Sequence, residues 1–329
     1  MLTRRDMTAG MGLSLAASPV LAAAVTPVSL SQTPPSSTPT PPAEPPLLVL
    51  DASLDQDARL TVPVMINDQG PFQFVVDTGA DRSVLTPGLV ERLGLAPGPE
   101  VIVHGVSGSI TCPTALTPKL RTGDARLVNS ILPVLPYERV GADGLLGVDI
   151  LDGRNVVMDF ERKQLEVRRS QSTEDYVRSP REVSVWADAR FGRLTLADSR
   201  IAGARALAFI DSGGGVSIGN MALARAIAAR RRKSDVVSQA RLLTAGGEMK
   251  LGEFRVISHM TMGDVRITNI PMAFADLHIF DVWGLNDRPA ALLGVDVLRL
   301  FARVELDFGA GKVLFRLGQS GIAPQILNA

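Results

Sequence analysis

Two short runs carry the residues that could do chemistry. The first is Phe72-Gln73-Phe74-Val75-Val76-Asp77-Thr78-Gly79-Ala80. The second is Ala206-Leu207-Ala208-Phe209-Ile210-Asp211-Ser212-Gly213-Gly214. In each, an apolar strand runs into an acid, a small hydroxyl residue and a glycine. An Asp at the end of such a strand is held where charge is expensive. The neighbouring hydroxyl can hydrogen-bond across a tight loop, and the glycine lets one backbone approach another closely. One such triplet is also an ordinary turn. Two copies set in a matching repeat are not.

The repeat extends well beyond the triplets. Arg59-Leu60-Thr61 stands as far before Asp77 as Arg193-Leu194-Thr195 stands before Asp211. A strand, a turn and a second strand fit between each pair. The turns are Asn67-Asp68-Gln69-Gly70 and Asp198-Ser199-Arg200. Downstream, Gly144-Leu145-Leu146-Gly147-Val148-Asp149-Ile150-Leu151 is answered by Ala291-Leu292-Leu293-Gly294-Val295-Asp296-Val297-Leu298. Each is followed by an Asp-Phe pair opening a hairpin, Asp159-Phe160 and Asp307-Phe308. Landmarks in the same order point to two copies of one fold.

With these motifs in view, the chain resembles the retropepsin-like aspartic proteases. The Asp-Thr-Gly-Ala loop and the later Leu-Leu-Gly are that family's motifs, here in both halves, and the resemblance covers about residues 58–317. The chain is also similar to bacterial periplasmic proteases of this type. The resemblance implies a mainly β fold of two small, mostly antiparallel β-barrels with a few short helices. The barrels would pack about a pseudo-two-fold axis. Asp77 and Asp211 would then meet as a catalytic dyad sharing one proton, as aspartic-protease dyads are known to do. The dyad would activate a water against a peptide carbonyl. Thr78 and Ser212, with Gly79 and Gly213, would support the dyad. Leu145-Leu146-Gly147 and Leu292-Leu293-Gly294 would pack behind it.

In the family, a hairpin flap closes over substrate. Here it falls at Val101–Ile110, with His104, Gly105, Val106 and Gly108 facing substrate and the two glycines permitting motion. The second flap would be Leu243–Met249, with Ala245, Gly246 and Gly247. Two departures stand out. Neither flap carries a tyrosine, and Gly214 replaces the Ala, Ser or Thr that usually follows the Asp-loop glycine. The reading is therefore an aspartic endopeptidase acting on protein or peptide substrates without a cofactor. The other reading is a peptide-binding pseudoprotease that keeps the cleft without turnover.

Composition agrees with this and excludes several classes. The chain has 329 residues, enough for two domains, and 46% hydrophobic residues. The formal net charge is zero, so neither nucleic acid nor an anionic membrane surface is suggested. Cys112 stands alone, which precludes an intramolecular disulfide. It reads as a small buried apolar residue. His104, His259 and His278 are scattered without metal-ligand spacing. Gly309-Ala310-Gly311-Lys312 lacks the spacing of a phosphate-binding loop and reads as a hairpin turn.

The chain divides into six stretches. Residues 1–24 read as an export signal, with twin arginines in Thr3-Arg4-Arg5-Asp6-Met7 and a cleavage site at Ala22-Ala23-Ala24. This implies a periplasmic protein; an uncleaved signal would tether it to the membrane. Residues 25–46 are a Pro/Ser/Thr-rich linker, extended and solvated. Residues 47–167 form the first protease unit, and 168–190 a charged, irregular bridge. Residues 191–318 form the second unit, and 319–329 a tail. One chain with both Asp loops implies a monomer with a pseudo-dimeric core.

Local patterns place the motifs. Leu60, Val62, Val64 and Ile66 alternate as a strand, with Pro63 suggesting an edge position. A short helix is predicted at Pro87–Leu93, ended by Gly94. A longer one runs from the N-cap Asn220 to Lys233. Its basic end, Arg230 to Lys233, suits a helix C-terminus.

One rival chemistry is embedded here. Gly215-Val216-Ser217-Ile218-Gly219 matches the nucleophile elbow of serine hydrolases, and Asp264 and His278 follow in the right order. That fold needs alternating strands and helices over most of its length. This chain is mostly short strands and turns.

Overall fold

The computed structural model describes residues 47–49, 60–106, 108–170, 181–190, 193–230, 238–243, 249–318 and 325–326. The signal, the proline-rich linker and the tip of the second flap lie outside the described residues.

The first half opens on β1 (Leu47–Val49), then the hairpin β2 (Thr61–Ile66) and β3 (Gln69–Val76). Val62, Val64 and Ile66 are buried while Thr61 and Pro63 are exposed, which is the alternation of a strand with one face in the core. Asn67 and Asp68 turn the hairpin at φ 49° and 62°. Short polar side chains tolerate that left-handed region better than most. Next come β4 (Val84–Leu85), α1 (Pro87–Leu93), β5 (Pro97–His104), β6 (Ser109–Thr122) and β7 (Ala125–Pro133). The helix α1 has the predicted bounds. Gly94, at φ 59°, closes it by donating to Glu91 O and Val90 O, a conformation glycine adopts without strain. The half continues through α2 (Tyr137–Val140), β8 (Gly144–Leu146), α3 (Val148–Leu151), β9 (Arg154–Asp159) and β10 (Gln164–Arg169).

The second half repeats the plan. It runs β11 (Glu182–Trp186), β12 (Asp188–Arg190), β13 (Arg193–Ile201), β14 (Ala204–Ile210) and β15 (Ile218–Gly219). Then come α4 (Met221–Ala228), β16 (Ser238–Leu243), β17 (Met249–Met262), β18 (Val265–Phe274) and α5 (His278–Val282). It closes with β19 (Ala290–Leu293), α6 (Val295–Leu298), β20 (Arg303–Asp307), β21 (Lys312–Arg316) and β22 (Gln325–Ile326). Asn220 caps α4 as expected, its side chain accepting the Leu223 N–H at 2.9 Å, but the helix ends at Ala228, short of the expected Lys233.

Each half builds its own sheet, one ordered β4-β8-β3-β2-β6-β5 and the other containing β13, β14, β19, β15 and β18. Within each, the strand entering the Asp loop pairs in parallel with the Leu-Leu-Gly strand. Val76 stands opposite Leu146, and Ile210 opposite Leu293. The fold is thus mainly β, with two barrel-like units and short helices.

A third sheet, β10-β9-β20-β21-β11, takes strands from both halves. At its centre β9 and β20 run antiparallel, with Met158 opposite Val304 and Val156 opposite Leu306. The two Asp-Phe hairpins seen in the sequence are therefore neighbours in one sheet. One buried apolar cluster, from Val62 and Phe74 to Phe301 and Phe315, spans both halves.

Three expectations need correction. The bridge 168–190 is not wholly irregular: β10 reaches Arg169, β11 pairs with β21, and β12 pairs with β13. Leu47–Val49, assigned to the first unit, pairs in parallel with β16 of the second unit's sheet. The tail contributes β22, which pairs with Val265 and Arg266 of β18. Register with a distant strand decides these cases, and local pattern carries no record of it. Pro63 is an edge residue only locally. β2 pairs with β3 throughout, but with β6 only at Met65 and Ile66.

Candidate active site

The parallel pairs deliver both Asp loops to one place. The Asp77 N–H donates to Leu146 O at 2.9 Å, and the Asp211 N–H donates to Leu293 O at 3.0 Å. Each Asp is thus the first residue beyond its strand, anchored by the strand beside it. The next residues interlock. The Thr78 N–H donates to Ser212 Oγ at 3.1 Å, and the Ser212 N–H donates to Thr78 Oγ1 at 3.0 Å. The hydroxyls then reach on across the axis, Thr78 Oγ1 to Ile210 O at 2.9 Å and Ser212 Oγ to Val76 O at 2.8 Å. Both side chains are buried. Every polar atom of this crossed grip has a partner, as a buried network requires.

The glycines let the two loops close on each other. A Cβ on Gly79 would lie 2.7 Å from Asp211 Oδ1 and 3.1 Å from Asp77 Oδ1. Both carboxylates therefore crowd one point, closer together than the roughly 6 Å beyond which a charge pair loses its hold. The carboxylates are held from below by backbone. The Gly79 N–H donates to Asp77 Oδ1 at 2.7 Å. Gly213 and Gly214 both donate to Asp211 Oδ1, at 3.1 and 3.0 Å.

The environment is electrostatically lopsided. Burial, and then the Asp77 charge beside it, push the Asp211 carboxyl up to about 7. The Gly214 and Gly213 N–H groups and the Arg193 guanidinium pull the other way without winning. Two carboxyls in one desolvated site cannot both ionise cheaply, so the pair holds a proton far above the usual carboxylate range.

Behind each loop sits a second repeated device. Ser83 Oγ donates to Asp149 Oδ1 at 2.7 Å, and Gly147 N–H donates to Ser83 Oγ at 3.1 Å. In the other half, Ser217 Oγ donates to Asp296 Oδ1 at 2.6 Å, and Gly294 N–H donates to Ser217 Oγ at 3.0 Å. Burial pushes both Asp149 and Asp296 upward in pKa, against the Ser hydrogen bonds. This corrects the serine-hydrolase alternative. Ser217 is fully buried, tied to Asp296, and the copy of Ser83. His278 bonds to His104 instead.

A match to the family model described as Aspartyl protease covers residues 62–150 and 197–297. The chain belongs to the aspartyl protease family. The two matched regions each contain one Asp loop and one Leu-Leu-Gly strand, as expected of a two-unit retropepsin-like protein. A comparison with curated proteins finds no match.

The other expected site residues fall in two places in this aspartyl protease fold. His104, Gly105, Val106 and Gly108 form the connection between β5 and β6, where the Gly105 N–H donates to Gly108 O at 2.8 Å. Neither glycine takes a positive φ, and a Cβ on Gly108 would meet nothing within 4 Å. Their conformational freedom is not used in this arrangement. Ala245, Gly246 and Gly247 lie outside the described residues. Among those described, no group of three or more His, Cys, Asp or Glu could hold a metal.

Sequence reasoning noted Arg193 only as a landmark. It is buried and crosses between the halves. Its Nε donates to Gly79 O at 3.0 Å, and its Nη1 pairs with Asp81 Oδ1 at 2.9 Å. The Trp283 ring covers the guanidinium at 4.8 Å. The repeated Arg-Leu-Thr spacing was the available signal. The Ser83–Asp149 and Ser217–Asp296 pairs were also missed, although both serines follow their Asp loops at one spacing.

Proposed function

We propose that this aspartyl protease is an exported endopeptidase whose water-activating dyad is Asp77 and Asp211. The observation that carries the reading is the crossed grip of Thr78 and Ser212, which sets both carboxyls at one point under glycine backbone. Asp211, raised to about 7, holds the shared proton at and below neutral pH and Asp77 acts as the ionised base. Asp77 takes a proton from water as its oxygen bonds to the peptide carbonyl carbon. Asp211 gives its proton to the carbonyl oxygen. The resulting diol collapses as Asp77 passes its proton to the nitrogen and a diol hydroxyl returns a proton to Asp211; the C–N bond breaks, and acid and amine leave with the dyad restored. The N–H groups beneath each carboxylate fix its orientation before substrate arrives.

Substrates are extended protein or peptide segments laid under the flaps, with no cofactor. The twin arginines Arg4 and Arg5 and the Ala22-Ala23-Ala24 site support export to a bacterial periplasm. No helix among the described residues is long and apolar enough to cross a membrane.

A labelled peptide library tests the reading. Purified protein should cleave peptides internally across acidic to neutral pH, and the Asp77→Asn/Asp211→Asn double variant should not. Binding with no cleavage by the unaltered chain would instead mark a peptide-binding scaffold.

A further inference from the structure

The outer face of the second half's sheet carries a row of arginines. Arg205 on β14 stands opposite Arg200 on β13, Arg200 opposite Thr261 on β17, and Thr261 opposite Arg266 on β18. Residues directly opposite each other in a sheet point to the same side. That side is solvent, because each member is flanked along its strand by buried residues, as Arg200 is by Ser199 and Ile201 and Arg266 by Val265 and Ile267. Neighbouring strands lie about 4.8 Å apart, so the row is about 14 Å long. Arg205 stands about 20 Å along β14 from Asp211, well away from the dyad.

Like charges directly opposite each other weaken a sheet. Arg200 and Arg205 are such a pair, and only Arg205 is answered, by an ion pair with Asp198. Among the described residues, Arg200 and Arg266 bond to no acid. The Arg266 charge is felt by its neighbour: burial, and then Arg266, push the His259 imidazole down in pKa. The first half has a cross-strand pair of its own, Arg121 and Arg126. There the carboxylate of Asp68, held low mainly by Lys119, also feels Arg121.

We propose that this row binds an extended acidic segment of a protein partner. Each guanidinium presents a planar fork of donors that fits a carboxylate, so a chain of carboxylates supplies what Arg200 and Arg266 lack. A row of that length is spanned by four to five extended residues, at about 3.3 Å each. Thr261, between Arg200 and Arg266, adds a hydroxyl donor. The borders favour a single chain over a flat anionic surface. The exposed Asp198 precedes Arg200 on β13, and β17 runs antiparallel beside it into the turn that carries the exposed Asp264. A membrane laid over the row would cover both acids; a chain lying along the row does not. That the segment belongs to a substrate rests on the proteolytic reading above; the binding itself does not.

Fluorescence anisotropy on the full chain tests it, in an Asp77→Asn/Asp211→Asn background so that no probe is cut. Hexaglutamate carrying a neutral fluorophore should bind at low salt, and hexaglutamine carrying the same fluorophore should not. Arg200→Gln/Arg266→Gln should raise the hexaglutamate Kd about tenfold, the loss expected for two exposed ion pairs, and should weaken its salt dependence. Losing Arg200 relieves a repulsion, so an unchanged thermal midpoint should confirm that this variant folds. Arg121→Gln/Arg126→Gln removes the same charge from the first half and should leave the Kd within about twofold, since distant exposed charges are screened. The proposal is overturned by no hexaglutamate binding, by equal binding of hexaglutamine, by an unchanged Kd in the Arg200/Arg266 variant, or by an equal loss in the Arg121/Arg126 variant. Capture by phosphatidylglycerol vesicles without hexaglutamate binding would overturn it in favour of a membrane surface. Cleavage by the unaltered chain is measured separately, so an inactive dyad would leave the test intact.

Discussion

A Cβ on Gly213 would lie 2.2 Å from Cγ of Asp77, closer than non-bonded carbons can approach. The glycine of one half is thus the seat for the acid of the other. Gly213→Ala should push Asp77 out of register and lower kcat about 100-fold or more, since a misplacement near 1 Å carries that cost. Overpacking should also reduce stability by about 1–3 kcal/mol. Gly88→Ala on α1 is the control: its Cβ enters open space, so peptide cleavage should stay near that of the unaltered chain and the urea midpoint should not fall.

Both acids lie in one site, so their losses should not add. Asp77→Asn and Asp211→Asn should each cost at least the roughly 10²- to 10⁴-fold of acid–base catalysis, with the double variant little worse. Light scattering on the same samples should give a monomer mass. Near-half activity in either single variant, with a dimer mass, would mean two separate sites.

The grip should show as stability. Thr78→Val removes one hydroxyl and leaves Ile210 O and the Ser212 N–H unpartnered, at about 1–3 kcal/mol for each buried group. Thr78→Ser keeps both bonds and should lose far less. Urea denaturation separates the two; equal midpoints would show that the grip is not holding the halves.

Ser217 and Ser83 should behave alike. Ser217→Ala and Ser83→Ala each take the hydroxyl bond from an Asp that keeps its backbone N–H donors, and leave a glycine N–H without its partner, so each should lower the thermal midpoint measurably. A serine-directed phosphonate should label neither residue. Mass-spectrometric labelling at Ser217 would revive the serine chemistry.

Stability should carry the mark of Asp211. Its carboxyl is raised in the folded chain from 3.8 to about 7. Between those values the unfolded chain has released a proton that the folded chain keeps, so stability falls as pH rises through the window and levels above it. Asp211→Asn has no such proton. Its thermal midpoint, relative to the unaltered chain, should therefore improve from pH 4 to pH 7, the two ends of that window. A constant difference across it would mean that Asp211 is not raised.

The sequence by itself determined the repeat, the two Asp loops, the Leu-Leu-Gly strands beside them and the helix Pro87–Leu93. These are local signals: an apolar run, an acid, a glycine, a capping residue at fixed spacing. They also sufficed to foresee that Thr78 and Ser212 would matter. What only the tertiary structure decided is how distant segments pair. Leu47–Val49 joins a sheet of the other half, and β11, whose Val183 and Val185 alternate with Glu182 and Ser184, finds its place only by pairing with β21. Arg193 reaches the opposite Asp loop, and His104 meets His278 across 174 positions. Hydrogen-bond partners of an edge strand or a buried guanidinium are set by whichever backbone the packed core brings near. That proximity has no period and no composition to read, and it exists only once both halves have closed on each other.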